Sequence, residues 1–149
     1  MPKLEPLCAE LGDILGGKAR RDKGTCRVEV QRTNINILIM GIPSPAFARH
    51  MFVFQRYADN NRGLNTGELV VLQEEVTPVI GELSKQEIIV AAIDNHWIYD
   101  DPRLIYVHVQ AIMRPRTFAR KIAEVLGVLD ENRLITQSNV INTIEIKNN

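Results

Sequence analysis

Apolar and polar positions at the start of the chain predict a helix followed by two strands. Apolar residues recur every three or four positions between residues 4 and 15, and Gly16-Gly17 ends the pattern, as expected at a helix C-terminus. Residues 26–31 alternate apolar and polar side chains, which predicts a half-buried strand. Residues 35–40 are more continuously apolar, and the short polar turn between the two segments predicts a hairpin.

The middle of the chain predicts a β-α-β-β-α series over residues 67–127. A short apolar strand begins the series. One face of a helix then follows, with apolar residues at positions i, i+3, i+4 and i+7: Val76, Val79, Ile80 and Leu83. Two strands come next, at residues 87–93 and 104–112, and Pro115 opens the last helix, which Gly127 ends. The order of these elements is ferredoxin-like.

We therefore predict a single α+β domain over residues 1–149, with a mainly antiparallel sheet and helices packed on one face. The core of the domain is expected at residues 4–127. A C-terminal extension, residues 128–149, holds an apolar segment at 140–146 that suggests one further strand. A chain of about 150 residues is long enough to bury one self-sufficient core.

The last two strands of the series separate a core face from a partly polar face. Odd positions are apolar on both strands, which predicts that these side chains are buried together against the helices: Ile89, Ala91, Ile93, Ile105, Val107 and Val109. Even positions become polar towards the connecting loop. Opposed residues of an antiparallel pair share a face, so their numbers should sum to an even value of about 200. His108 is then opposite Ala92, with Asp94 as its diagonal neighbour.

Asp94 and His108 are the candidate catalytic residues. Diagonal neighbours lie about 7–8 Å apart at the backbone, within reach of long side chains. A carboxylate beside an imidazole fixes the tautomer of the ring, and this arrangement prepares a general base. The alternative is a strand-end hydrogen bond on a half-solvated sheet face, without a catalytic role.

His96, Arg103 and Tyr106 are candidate ligand-binding residues at the same end of the strand pair. Arg103, in the connecting loop, could hold an anionic ligand through two hydrogen bonds. On a straight strand His96 lies about 13 Å from the residue opposite His108. We therefore expect His96 and His108 not to share a metal ion, whose ligands must converge. Asp94 and His96 alone offer two ligands with no evident third, so we predict no metal site, and the sequence identifies no cofactor.

A spaced motif runs through the same region. A strand of the type G-[DE]-L-V-L leads into an E-V-x-P-V helix, followed by an H-N-H strand end and a P-R-x-x-[FY]-x-H strand. The matching residues are Gly67, Glu68, Leu69, Val70, Glu75, Val76, Pro78, Val79, Asn95, His96, Pro102, Arg103, Tyr106 and His108. The motif resembles that of the bacterial LppY/LpqO family, a domain of unknown function. The resemblance spans residues 4–127, implies an α+β fold and a bacterial source but no established activity, and adds Glu68 to the candidate ligand-binding residues.

The chain departs from the family pattern at two places. Asp94 stands where the family has the first histidine of H-N-H, so any activity that needs this histidine is in question here. The glycine-rich stretch that follows the last histidine in the family is replaced by residues 110–113. Longer relatives resemble tandem copies of the domain, so the resemblance favours a homodimer for a single copy.

Charge and cysteine content limit the partners and the compartment. The chain has 18 basic and 18 acidic residues and no net charge, so neither nucleic acid nor a membrane is expected as a partner. Residues 18–23 are predicted to form a short basic loop. The start of the chain lacks the apolar segment of a signal peptide, and Cys8 and Cys26 are expected as buried reduced thiols. We therefore expect a soluble, cytoplasmic protein.

Two kinds of function fit these features best, and a divalent-metal protein centred on Asp94 and His96 is a third option. The first is a small-molecule-binding or regulatory domain that uses the partly polar face of the strand pair. The alternative is a small enzyme of the hydrolase or isomerase type, in which His108 is the general base and Asp94 orients it. No complete catalytic set is evident in the sequence, which favours the first function.

Overall fold

A six-stranded antiparallel sheet forms the centre of the fold, in a computed structural model that describes residues 4–56 and 61–129. Within these residues, the strands are β1 (Lys18–Asp22), β2 (Thr25–Gln31), β3 (Leu38–Ile39), β4 (Ile42–Pro43), β5 (Arg49–Arg56), β6 (Gly63–Leu72), β7 (Ile89–Asp94), β8 (Asp100–Asp101) and β9 (Leu104–Met113). The helices are α1 (Leu4–Leu15), α2 (Val76–Lys85) and α3 (Pro115–Gly127). The large sheet has the order β1-β2-β5-β6-β9-β7, and β4-β3-β8 form a second, small sheet.

The helices pack on one face of the large sheet. α1 contacts α3, β1 and β2, while α3 also contacts β6 and β9. β6 and β7 both pair antiparallel with β9, which lies between them, so α2 connects two strands that run in the same direction. The predicted α+β fold, with its mainly antiparallel sheet and its β-α-β-β-α order over residues 67–127, is confirmed. That the whole chain forms one domain stays a prediction, and the strand predicted at residues 140–146 lies outside the described residues.

The core fills the space between the helices and the sheet. Phe54 of β5 meets Phe118 of α3 edge to face, with ring centroids 5.8 Å apart. Cys8 of α1 and Cys26 of β2 lie in the same core and are joined by a disulfide. The expectation of two reduced thiols is wrong, because α1 packs on β2 and brings the two Cα atoms to 5.5 Å. A cross-link across 18 positions stabilises the fold by about 3 kcal/mol in the chain-entropy model.

The hairpin predicted after β2 does not form. β2 pairs with β1 on one side and with β5 on the other, so it has no free edge for residues 35–40. The basic segment at residues 18–23 was predicted as a loop. Most of it is instead the exposed edge strand β1, which pairs with β2. The chain after β2 crosses to the face of the sheet opposite the helices. There it contributes to a second apolar cluster, whose buried members are Ile37, Ala48, Val70, Leu104 and Tyr106.

The register predicted for the last two strands of the series is confirmed over residues 92–94. Ala92 of β7 pairs with His108 of β9, and Ile93 pairs with Val107, as the sum of residue numbers requires. On β9 the predicted core residues Val107 and Val109 are buried. The parity of apolar residues therefore identifies both the pairing and the core face of β9.

The burial predicted for β7 is wrong: Ile89, Ala91 and Ile93 are all exposed. A bulge between Val90 and Ala92 shifts the pairing by one residue, so Val90 packs against the core and Ile89 faces away from it. Ile93 lies on the core face but is 50% exposed, because β7 is the edge strand of the sheet.

Gly67 allows the close approach of β5 and β9 to β6. A Cβ at this position would lie 2.5 Å from Phe52 Cδ1 and 3.1 Å from Val109 Cγ2, and both of these side chains are buried. We expect Gly67→Ala to lower the free energy of unfolding by about 1–3 kcal/mol through overpacking, as measured by urea denaturation. Gly81→Ala in α2 is the control. Its Cβ would meet nothing within 4 Å, and alanine should stabilise the helix by up to about 1 kcal/mol. Equal stability of the two variants would contradict this explanation.

Candidate functional site

His108 lies on the face of the sheet that the helices leave open. It is opposite Glu68 of β6 and Ala92 of β7, so side chains from three neighbouring strands meet there. Its neighbours in sequence, Val107 and Val109, point to the other face and are buried in the core. The alternation that buries these valines therefore presents His108 on the open face, where it is half-buried.

One carboxylate contacts two imidazoles at this position. Asp94 Oδ2 lies 3.2 Å from His108 Nε2, and Asp94 Oδ1 lies 2.9 Å from His96 Nε2. The side chains are 44% (Asp94), 35% (His96) and 30% (His108) exposed, so water reaches all three. The structure thus brings together the two residues singled out as a catalytic pair, and their catalytic role stays a prediction.

His96 reaches the same carboxylate because β7 ends before it. The strand stops at Asp94, and the chain then turns so that the His96 ring stacks on Tyr106, with centroids 3.7 Å apart and planes at 3°. The rings of His96 and His108 are 5.8 Å apart. The expectation that these two histidines are too far apart to share an ion is wrong, since it extended β7 two residues beyond its end. One ligand atom from each of Asp94, His96 and His108 lies within 4.8 Å of the other two.

Tyr106 and Trp97 support His96. Trp97 Nε1 donates a hydrogen bond to the Tyr106 hydroxyl at 2.8 Å, and the Trp97 ring packs on Phe47 at 4.6 Å. Burial raises the pKa of the Tyr106 hydroxyl; the hydrogen bond from Trp97 opposes this effect, and nearby carboxylates reinforce it. The phenol therefore stays protonated at neutral pH, and its ring is a flat support for the imidazole.

A groove of about 320 Å³ lies beside His108 on the open face. Side chains from β5, β6, β7 and β9 line it: Met51, Val53, Thr66, Glu68, Ala91, His108 and Gln110. Glu68 Oε2 lies 4.0 Å from His108 Nδ1, so Glu68 and Asp94 face different nitrogens of the same ring. The structure thus brings the predicted residue Glu68 to the site.

Arg103 is held in the loop between β8 and β9 and not at the histidine cluster. Its Nε lies 3.0 Å from Asp100 Oδ1, and Asp100 Oδ2 accepts a hydrogen bond from the Leu104 N–H at 2.8 Å. This contact closes the loop before β9. The role of Arg103 in holding an anionic ligand stays a prediction.

The residues of the groove on β5 and on the middle of β6 were not predicted from the sequence. Met51, Val53 and Thr66 follow the same alternation that places Phe52 and Gly67 on the core face. That alternation was the available signal. It did not identify the groove, because the sequence does not show that β6 pairs with both β5 and β9. That pairing is a long-range feature of the fold.

Residues 9–128 match the protein family described as Domain of Unknown Function (DUF1259), and the match spans well over half of the chain. The chain belongs to the DUF1259 family. No curated protein and no solved structure matches it. The DUF1259 segment includes every strand of both sheets, so Asp94, His96 and His108 all lie within it.

Among the described residues, no helix is both long and apolar enough to cross a membrane.

Proposed function

We propose that this DUF1259 domain binds a small molecule on the open face of its sheet, beside His108. The observation that carries the proposal is the groove of about 320 Å³ next to the contact between Asp94 and His108. Binding sites for small molecules typically combine apolar walls with a few convergent polar groups. This groove has both kinds of lining.

The lining favours an uncharged polar ligand with an apolar side. Thr66 and Gln110 offer a hydroxyl and an amide, which donate and accept hydrogen bonds, whereas an ionised Glu68 only accepts. Met51 and Val53 supply the apolar surface. Because carboxylates lie next to both nitrogens of His108, an anionic ligand would be repelled at short range.

A thermal-shift screen of small polyols, amides and carboxylates, followed by NMR titration of the hits, tests this proposal. We expect a neutral compound to stabilise the protein and to shift amide resonances near Thr66 and Gln110. Gln110→Ala should weaken its binding about 3–10-fold through the loss of one hydrogen bond. Gln55→Ala is the matched control, since Gln55 is on the same face at the far end of β5. The proposal fails if no neutral compound binds, or if both variants weaken binding equally.

A small enzyme is the second candidate. The distance of 3.2 Å between Asp94 Oδ2 and His108 Nε2 favours it, because a general base needs a group that orients it. Conversion of a bound compound by the wild-type chain, abolished in His108→Gln, would support this function. Binding without conversion would leave the domain as a binding module.

We further infer that the chain comes from the bacterial LppY/LpqO branch of the family. Support comes from the spaced motif, in which Pro78, Pro102 and Arg103 stand at the positions of the family pattern.

We propose a second copy of this chain as the protein partner, forming a homodimer. β7 is an edge strand whose Ile89 and Ile93 are exposed, and exposed apolar edge strands pair readily with another chain.

For the compartment, two features point in different directions. The sequence led us to expect a cytoplasmic location. The Cys8–Cys26 disulfide favours an oxidising compartment, because disulfides are rare in the reducing cytosol. We therefore propose that the protein works in an oxidising compartment, where this disulfide persists.

A further inference from the structure

The geometry points to a binding site for one divalent transition-metal ion, formed by Asp94, His96 and His108. This inference goes beyond ligand binding in the groove, because it assigns a cofactor to the Nε2 side of the His108 ring, whereas Glu68 of the groove faces Nδ1. The three side chains come from the end of β7, the turn after it and the middle of β9. They meet only when the chain has folded.

The spacing of the ligand atoms fits a metal ion. Zn–N and Zn–O bonds are about 2.0–2.1 Å long, so two ligands of one ion lie about 3.0 Å apart at a right angle and about 3.4 Å apart at a tetrahedral angle. The oxygens of Asp94 lie 2.9 Å from His96 Nε2 and 3.2 Å from His108 Nε2. The first distance involves Oδ1 and the second Oδ2, and one ligand atom from each of the three residues lies within 4.8 Å of the other two. Both oxygen–nitrogen distances have the length of an edge of a coordination polyhedron, and rotation of the exposed side chains would bring the three ligand atoms onto one ion.

The types of ligand select the class of ion. Mg²⁺ and Ca²⁺ prefer oxygen ligands, whereas two imidazoles with one carboxylate suit Zn²⁺, Fe²⁺, Mn²⁺ and related first-row ions. With three protein ligands that are each partly exposed, the ion keeps coordination positions for water or for a ligand. Such three-ligand sites are typical of catalytic metal centres, whereas structural zinc sites have four protein ligands.

Neighbouring groups flank both imidazoles on the sides that do not face Asp94. The other nitrogen of a metal-bound imidazole usually faces a carboxylate or a carbonyl, and Glu68 Oε2 lies 4.0 Å from His108 Nδ1. Tyr106 stacks on the His96 ring at 3.7 Å and is itself held by Trp97 Nε1. These neighbours leave the Nε2 atoms of both rings facing Asp94, although Glu68 lies beyond hydrogen-bond distance of His108.

Hydrogen bonds alone are the competing explanation. A neutral imidazole can donate from Nε2 to a carboxylate, and 2.9 Å and 3.2 Å are also hydrogen-bond distances. Water competes for such contacts at a surface, so they stabilise little. Such weak hydrogen bonds do not require two rings from separate elements to converge on the same carboxylate, as His96 and His108 do.

Zinc titration of the purified, chelator-treated full chain tests the inference. Calorimetry with ZnCl₂ is expected to give one ion per chain with a dissociation constant in the micromolar range or below. Asp94→Asn, His96→Gln and His108→Gln should each weaken binding at least about 100-fold. Asp101→Asn, an exposed carboxylate of β8, is the matched control and should bind Zn²⁺ as the wild type does. Circular dichroism checks that every variant is folded.

Two further variants test the surroundings of this site, and the second separates it from the groove. Glu68→Gln, which removes the carboxylate 4.0 Å from His108 Nδ1, should weaken Zn²⁺ binding less than the three ligand variants do. Gln110→Ala, which weakens ligand binding in the groove, should leave Zn²⁺ binding unchanged. A wild-type chain that binds no Zn²⁺ at micromolar concentrations, or ligand variants that bind as tightly as Asp101→Asn, would overturn the metal site and leave the groove proposal intact.

Discussion

Replacing Glu75 with glutamine is expected to lower the free energy of unfolding by about 3–5 kcal/mol. The Glu75 side chain is fully buried, and its two oxygens lie 2.7 Å and 2.9 Å from the terminal guanidinium nitrogens of Arg32. Glutamine keeps the size of the side chain but leaves the charge of Arg32 buried without a counter-charge. Urea denaturation of Glu75→Gln and the wild type measures the loss.

Glu10→Gln is the matched control for this substitution. Glu10 makes the same two-point contact with an arginine, since its oxygens lie 2.8 Å from Nε and from Nη2 of Arg116. Both side chains are exposed at the surface, where water and salt screen the pair. Glu10→Gln should therefore change the free energy of unfolding far less than Glu75→Gln. Equal losses in the two variants would contradict the role of burial.

The buried ion pair and His50 complete the hydrogen bonds of an interrupted strand pairing. The pairing of β5 with β6 ends at Met51 and Glu68, two residues before Val70. Arg32 Nη1 donates to the Val70 carbonyl at 3.0 Å, and the Val70 N–H donates to His50 Nδ1 at 3.0 Å. Buried backbone groups require such partners. These polar side chains therefore have a structural role, in contrast to the exposed cluster at Asp94.

Strand alternation was enough to predict the pairing of β7 with β9 at His108. It was not enough to predict which side chains of the edge strand β7 are exposed. The two faces of a strand alternate strictly, so parity places His108 opposite Ala92, as the structure has it. The bulge next to Ala92 breaks this alternation. In the segment IIVAAI every residue is apolar, so no polar residue marks where the alternation changes. The exposure of Ile89 and Ile93 could not be predicted for this reason.

The candidate site was predictable in part. The proximity of Asp94 and His108 follows from the register alone, whereas the position of His96 depends on where β7 ends. No glycine or proline marks that end in the sequence. The buried pair of Arg32 and Glu75 was not predicted at all, because its partners are 43 residues apart and meet only through the sheet.

Acidification is expected to destabilise the fold through His50. This histidine is 3% exposed, and burial, together with the positive charge of Arg32, lowers its pKa to about 3. Its pKa in the unfolded chain is about 6.5. Between these two values the unfolded chain binds a proton that the folded protein excludes. The free energy of unfolding should therefore fall by about 1.4 kcal/mol for each pH unit below about 6.5, and by about 4–5 kcal/mol down to about pH 3.

His50→Asn separates this contribution from that of all other titrating groups. The asparagine oxygen can still accept the Val70 N–H, but the side chain does not titrate. The carboxylates, His96 and His108 are present in both proteins, so their contributions cancel in the difference. In urea denaturation from about pH 7 to about pH 4, the wild type should lose stability faster than the variant, with parallel curves above about pH 6.5. Curves that stay parallel throughout would mean that the folded protein accepts the proton on His50, and burial would then not keep this imidazole neutral.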